Sequence, residues 1–298
     1  MSSQFSFKNI CLEIQTQKQG TKDYVLDSWN YQRDKKIKIT IQITITEDDQ
    51  IIYSHDGVIL RVESVYHGIK NSIIFKNMEQ ILYLTWQSQN KFDKKKNGRW
   101  FASWNGNTLL NVGGYYQEGL RQGQWYELMK NFGSKAQVFE IGEYYNDLRT
   151  YKWIYIYNTK RISSGFYNNQ GLKVGKWDEL NDKFWGEAQI IYSGEYNMKG
   201  KKIGKWDILY CKKGEHQYKF IGGGSYDYFK HQKVGKWVEL CEKFEYLNQV
   251  TYIGEYDQKG LKRGRWDTWF QEIIGKKDYK LMQILFPYRI IFKWRWII

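Results

Sequence analysis

The sequence predicts an all-β protein: repeated antiparallel β-hairpins forming an elongated meander or single-sheet ribbon, with a small N-terminal β-meander ahead of it. Three observations predict this. The pattern Gly-x-Trp recurs at Gly98/Trp100, Gly123/Trp125, Gly175/Trp177, Gly204/Trp206, Gly235/Trp237 and Gly264/Trp266, with Trp153 as a seventh, degenerate member. Aromatic residues make up 18% of the 298-residue chain and glycines number 27, whereas proline occurs once, at Pro287. Such a composition favours strands and turns over helices. Finally, residues 37–45 alternate Ile with Lys, Thr or Gln, the period-two pattern of a half-buried strand.

Along the chain, residues 1–22 are polar and are expected to be a mobile N-terminus. Residues 23–75 form the N-terminal β-rich segment: the strand over 37–45, a turn at Asp48 and Asp49, a return from Ile51 to Ser54, a turn at His55-Asp56-Gly57 and a strand from Val58 to Val62. The stretch Asn77 to Trp86 is compatible with a short helix or another strand, its apolar run being too short to separate them. Residues 76–280 carry the repeats, whose tryptophans lie 25, 28, 24, 29, 31 and 29 residues apart. A self-similar period of this size signals a repeat architecture.

A fixed block runs Gly-x-Trp-x-Glu-Leu, then Phe, Gln and Gly-Glu-Tyr. It occurs at Gly123/Trp125/Glu127/Leu128/Phe132/Gln137/Gly142, Gly175/Trp177/Glu179/Leu180/Phe184/Gln189/Gly194 and Gly235/Trp237/Glu239/Leu240/Phe244/Gln249/Gly254. Each Gly-Glu-Tyr leads into Tyr-x3-Gly-x3-Gly-x-Trp, as in GEYNMKGKKIGKW from Gly194 through Tyr196 and GEYDQKGLKRGRW from Gly254 through Tyr256. Residues two apart share a strand face, so this spells an incoming strand, a polar glycine-bearing turn and an outgoing strand. The turns are predicted near 117–122, 168–174, 197–203, 228–234 and 257–263. Strand glycine leaves room for an aromatic ring to lie flat over the backbone, which explains why Gly and Trp travel together. The tryptophans are accordingly expected in the core. Two copies depart: Tyr151 stands where the second turn glycine belongs, predicting a shorter or distorted hairpin, and one extra residue before Gly235 predicts a longer or bulged turn. Residues 175–208 and 235–268 agree at 18 of 34 positions without a gap and are expected to share one backbone.

Gly-Glu-Tyr-x3-Gly-x3-Gly-x-Trp resembles the MORN repeat, in the variant form of antitoxin-like bacterial proteins and of protist repeat families. The resemblance covers roughly residues 80 to 270. It departs from the usual pattern in having Gly-x-Trp for the second Gly-x-Gly and a longer, uneven period. It implies a scaffold, a membrane-associated linker or an adaptor, with an antitoxin-like inhibitor as a further reading.

The apolar basic tail, 281–298, contains Arg289, Lys293 and Arg295 and is too short and too charged to span a bilayer. Either it covers the last strand edge or it does not join the fold. Cys11, Cys211 and Cys241 lack C-x-x-C spacing, so neither a disulfide framework nor a structural zinc site is expected. No secretory leader is expected either, and the reading is a cytoplasmic protein, peripheral to a membrane or the cytoskeleton.

No catalytic set can be assembled. His55, His67, His216 and His231 are scattered in turns, and GLKVGKW from Gly171 has three residues between its glycines where a phosphate loop needs four. Triplicate Glu127, Glu179 and Glu239 are a repeat signature. We therefore expect a non-enzyme without cofactor, metal or small-molecule substrate: a repeat scaffold or protein-interaction module. The alternative is an electrostatic binder of anionic lipid or another polyanion, nucleic acid being the weaker choice. Its motivation is the net charge of +14 and the cations beside the second turn glycine, Lys173, Lys176, Lys201, Lys202, Lys205, Lys233, Lys236, Lys262, Arg263 and Arg265. If the hairpins stack, these form a row along one sheet edge, partly neutralised by Asp178, Asp207 and Asp267. A merely solvated surface is the competing reading of the same charge.

Overall fold

The computed structural model describes residues 20–30, 35–48, 50–64, 75, 77–88, 95–271, 279–286 and 289–290. These are almost entirely antiparallel strands, as the sequence predicts. They fall into two compact units, one within 1–128, 132–134 and 144–147, the other within 129–131, 135–143 and 148–298. The division lies inside the repeat series.

In the first unit, β1 (Gly20–Asn30), β2 (Lys35–Ile45), β3 (Gln50–His55) and β4 (Val58–Ser64) form a sequential four-stranded sheet. The Ile alternation of β2 works as expected, with Ile41 and Ile43 buried beside Leu26, Ile51 and Tyr53. The strand β1 departs from the sequence expectation: residues 20–22, assigned to the N-terminus, pair with 43–45. A strand as regular as β2 offers a hydrogen-bonding edge on each side, and β1 occupies the one that β3 leaves. The rest of the expected N-terminus lies outside the described residues.

Both readings of Asn77 to Trp86 hold in succession. Helix α1 (Met78–Tyr83) starts where the Asn77 side chain accepts from the backbone N–H groups of Glu79 and Gln80. It stops after less than two turns, where Arg61 donates to the carbonyls of Gln80, Ile81 and Leu84. The chain then becomes β5 (Leu84–Ser88), followed in the same unit by β6 (Gly98–Trp104), β7 (Asn107–Gln117) and β8 (Leu120–Leu128), each paired with the next.

The second unit is likewise an antiparallel meander. Its strands are β9 (Val138–Tyr145, whose last two residues count with the first unit), β10 (Leu148–Tyr157), β11 (Lys160–Tyr167), β12 (Lys173–Leu180), β13 (Gln189–Tyr196) and β14 (Lys202–Cys211). Then come β15 (Lys219–Tyr226), β16 (Lys233–Leu240), β17 (Gln249–Tyr256), β18 (Lys262–Gln271), β19 (Tyr279–Phe286) and β20 (Arg289–Ile290), in sequence order across the sheet. The first part of the apolar tail, within β19, pairs along β18 and so covers that edge; residues 291–298 lie outside the described residues.

The 60-residue copies are the same backbone. Gly175, Lys176 and Trp177 pair with Tyr196, Glu195 and Gly194, and Gly235, Lys236 and Trp237 with Tyr256, Glu255 and Gly254. Their turns also repeat. The side chain of Asn197 accepts from the backbone N–H of Lys199 and Lys201, that of Asp257 from Lys259 and Leu261, and that of Asn168 from Gln170 and Leu172. The turn with the extra residue, after Asp227, uses His231 at positive φ.

Inside the outgoing strands, Gly123, Gly175, Gly204, Gly235 and Gly264 have φ of 59 to 67° and mark bulges. The degenerate copy puts Tyr151 in this conformation at φ 56°, and its hairpin has a two-residue turn, Asn146–Asp147, both residues also at positive φ. The shorter hairpin is as the deletion predicts, and the pairing of β10 with β11 shows a register shift at Tyr155/Ile156. A left-handed L-residue costs about 1–2 kcal/mol, offset in part by the extra unfolded-state freedom of glycine, about 0.5–1 kcal/mol. Since Tyr151 is exposed, Tyr151→Gly should stabilise the protein by about 0.5–1 kcal/mol in chemical denaturation. Tyr151→Ala, which keeps the strain, should not.

Candidate functional site: an aromatic spine and a turn edge

Six glycines lie directly beneath an indole ring: Gly114 under Trp125, Gly142 under Trp153, Gly165 under Trp177, Gly194 under Trp206, Gly224 under Trp237 and Gly254 under Trp266. A Cβ on any of them would overlap the ring, which accounts for the pairing of Gly with Trp. All six tryptophans are buried, as expected. Tyrosines fill the gaps between them. In the second unit the rings run Trp153, Tyr167, Trp177, Tyr196, Trp206, Tyr226, Trp237, Tyr256, Trp266, with successive centroids 5.0 to 6.4 Å apart and every pair edge to face. This geometry sets the positive ring edge of one residue against the negative face of the next.

A cation covers each of the five indoles in this series. Arg149 lies 4.0 Å from the centroid of Trp153, Lys173 4.6 Å from Trp177, Lys202 3.6 Å from Trp206, Lys233 4.4 Å from Trp237 and Lys262 3.8 Å from Trp266. Glu140 neutralises Arg149 at 2.6 Å, and two of the triplicate glutamates neutralise the four lysines. Glu179 accepts from Lys173, from Lys202 at 2.7 Å and from the Tyr196 hydroxyl at 2.6 Å. Glu239 repeats the set with Lys233, Lys262 at 3.0 Å and Tyr256 at 2.7 Å. In the first unit, Glu127 takes Arg121 and Tyr144, each at 2.9 Å. One carboxylate serves two copies because the position two after Trp is Glu in one hairpin and Ile208 or Thr268 in the next.

Burial opposes the charge of Glu179, but Lys173 and Lys202 outweigh it and hold the carboxyl at about 2. Burial lowers both lysines and Glu179 raises both, and the balance leaves Lys173 above its ordinary value and Lys202 below it. One anion cannot fully compensate two desolvated cations.

The cations beside the second turn glycine therefore do not form one row, which corrects the sequence expectation. Lys173, Lys202, Lys233 and Lys262 turn onto the tryptophans, since each stands four residues before its Trp and so shares the Trp face. Lys205 pairs with Asp207 at 3.1 Å and Arg265 with Asp267 at 2.5 Å, the neutralisation anticipated from the sequence. Lys176 and Lys236 are exposed but stand opposite Glu195 and Glu255. Lys201 and Arg263 remain on the turn edge, exposed and without an ion pair among the described residues.

Sequence reading missed the tips of the turns. Met198 is 73% exposed, Tyr228 64%, Phe229 89% and Leu261 57%, and Lys199, Lys230 and Lys259 are exposed beside them. Neighbouring turns touch: Asn168 donates to the Met198 carbonyl at 3.5 Å and Gln232 to the Gln258 carbonyl at 2.5 Å. Large apolar residues interrupting otherwise polar turns were the available signal. Among the described residues no three His, Cys, Asp or Glu gather to hold a metal ion, and no helix is long and apolar enough to cross a membrane. No protein-family model matches the chain, and no curated protein matches it.

Proposed function

We propose that the protein is a non-enzymatic, MORN-like repeat platform that docks onto an anionic membrane surface through the turn edge of its second unit. The observation that carries this reading is the edge of hairpin turns, touching in two pairs, on which Met198, Phe229 and Leu261 project beside Lys199, Lys201, Lys230, Lys259 and Arg263. Apolar and aromatic tips enter the headgroup boundary while lysine heads stay in the aqueous phase. Each cation near an anionic bilayer contributes about 1 kcal/mol, screened by salt. The recurrent glutamates support a non-catalytic role, since they are engaged by lysines and tyrosines of the same sheet face.

The test is sedimentation with vesicles of phosphatidylcholine alone or with phosphatidylserine. Wild type should sediment only with the anionic vesicles, less as salt rises. Lys201→Glu, Lys230→Glu, Lys259→Glu and Arg263→Glu combined should abolish this without changing thermal unfolding. Lys202 and Lys262 are left intact because they belong to the spine. Absence of wild-type binding, or undiminished binding by the variant, would overturn the lipid reading and return the edge to a protein partner.

A further inference from the structure

We propose that the Trp–Tyr series of the second unit relays one-electron oxidising equivalents along the sheet and collects them on Tyr196 and Tyr256. Three features of the geometry carry this. The nine rings from Trp153 to Trp266 form an uninterrupted series of edge-to-face contacts, so an electron vacancy passes between neighbours in direct contact. The Lys and Arg side chains over the indoles attract their π-electrons and repel a positive charge on the ring, so the vacancy does not rest on tryptophan. Of the tyrosines in the series, Tyr196 and Tyr256 donate their phenol O–H to a carboxylate, Glu179 at 2.6 Å and Glu239 at 2.7 Å. Tyr167 and Tyr226 have no such acceptor among the described residues.

The electrons and protons balance as follows. A one-electron oxidant, such as a small inorganic radical, takes an electron from an indole and is itself reduced, leaving an indole radical cation. A neighbouring tyrosine returns an electron to that indole. At Tyr196 or Tyr256 the phenolic O–H bond breaks as the electron leaves, and the proton forms a new O–H bond on Glu179 or Glu239. The products are a neutral tyrosyl radical, a protonated glutamate and a restored tryptophan. A phenol that has lost an electron is a strong acid, so even a carboxylate held low by two lysines accepts its proton.

Pulse radiolysis of the full chain with azide radical as the oxidant tests the relay. Tryptophan radical absorbance should convert into tyrosyl absorbance at a rate independent of protein concentration, and more slowly in D2O than in H2O. The double variant Tyr196→Phe/Tyr256→Phe keeps both rings and should slow the conversion by about tenfold, a change of about 1.4 kcal/mol in the barrier. Tyr228→Phe, on the exposed turn outside the series, should leave it unchanged. The proposal is overturned if the rate scales with protein concentration, shows no isotope effect in wild type, persists in the double variant, or falls equally in Tyr228→Phe.

Discussion

Replacing Glu179 by Gln should destabilise the protein by about 3–5 kcal/mol at neutral pH, the cost of leaving largely desolvated cations uncompensated. Lys173 and Lys202 would then share the neighbourhood of Trp177, Tyr196 and Trp206 with no anion, and each would have to deprotonate or leave the sheet face. The pH dependence follows from the direction of the shift. The Glu179 carboxyl titrates at about 2 in the folded chain, against an ordinary value of 4.5. A depressed carboxyl contributes stability that is fully present above the ordinary value and is lost as pH falls through the folded one, here about 3 kcal/mol between roughly pH 5 and 2. Urea unfolding of wild type should therefore show stability falling across that window, and Glu179→Gln should show a flatter profile over it. Equal stability of the two proteins at pH 7 would mean that the lysines relax into water without loss.

The hairpins and the inward tryptophans were legible because a repeat announces itself. Gly-x-Trp and Gly-Glu-Tyr recur at spacings that fix both strand faces, and the 60-residue copies share their register as well as their residues. The role of the lysines was legible but misread. Lys173, Trp177 and Glu179 have the same parity, so strand alternation already places cation, ring and carboxylate on one face. Treating Lys173 as a turn residue overrode that signal. The strand β1 was harder, because GTKDYVLDSWN alternates weakly and gains its conformation from pairing with β2, a tertiary cause outside its own sequence. The exposed Met198, Phe229 and Leu261 could not be placed from sequence, since the turns that carry them touch turns about 30 positions away.

Trp206→Ala should cost about 3–5 kcal/mol, because it empties a fully packed position between Tyr196 and Tyr226 and strips the ring beneath Lys202. Gly194→Ala should also destabilise in the wild-type background, by about 1–3 kcal/mol, because the new Cβ occupies the volume of the indole. The two effects have one physical origin, so they should not add. With Trp206 already replaced by Ala, the methyl group that Gly194→Ala introduces enters the vacated space, and a strand interior prefers Ala to Gly by about 0.5–1 kcal/mol. The double variant should then be no less stable than Trp206→Ala alone, and up to about 1 kcal/mol more stable. Chemical denaturation of all four proteins measures the coupling directly. Additive losses would show that Gly194 is required for its backbone and not for the ring above it, and the account of why glycine and tryptophan recur together would fail.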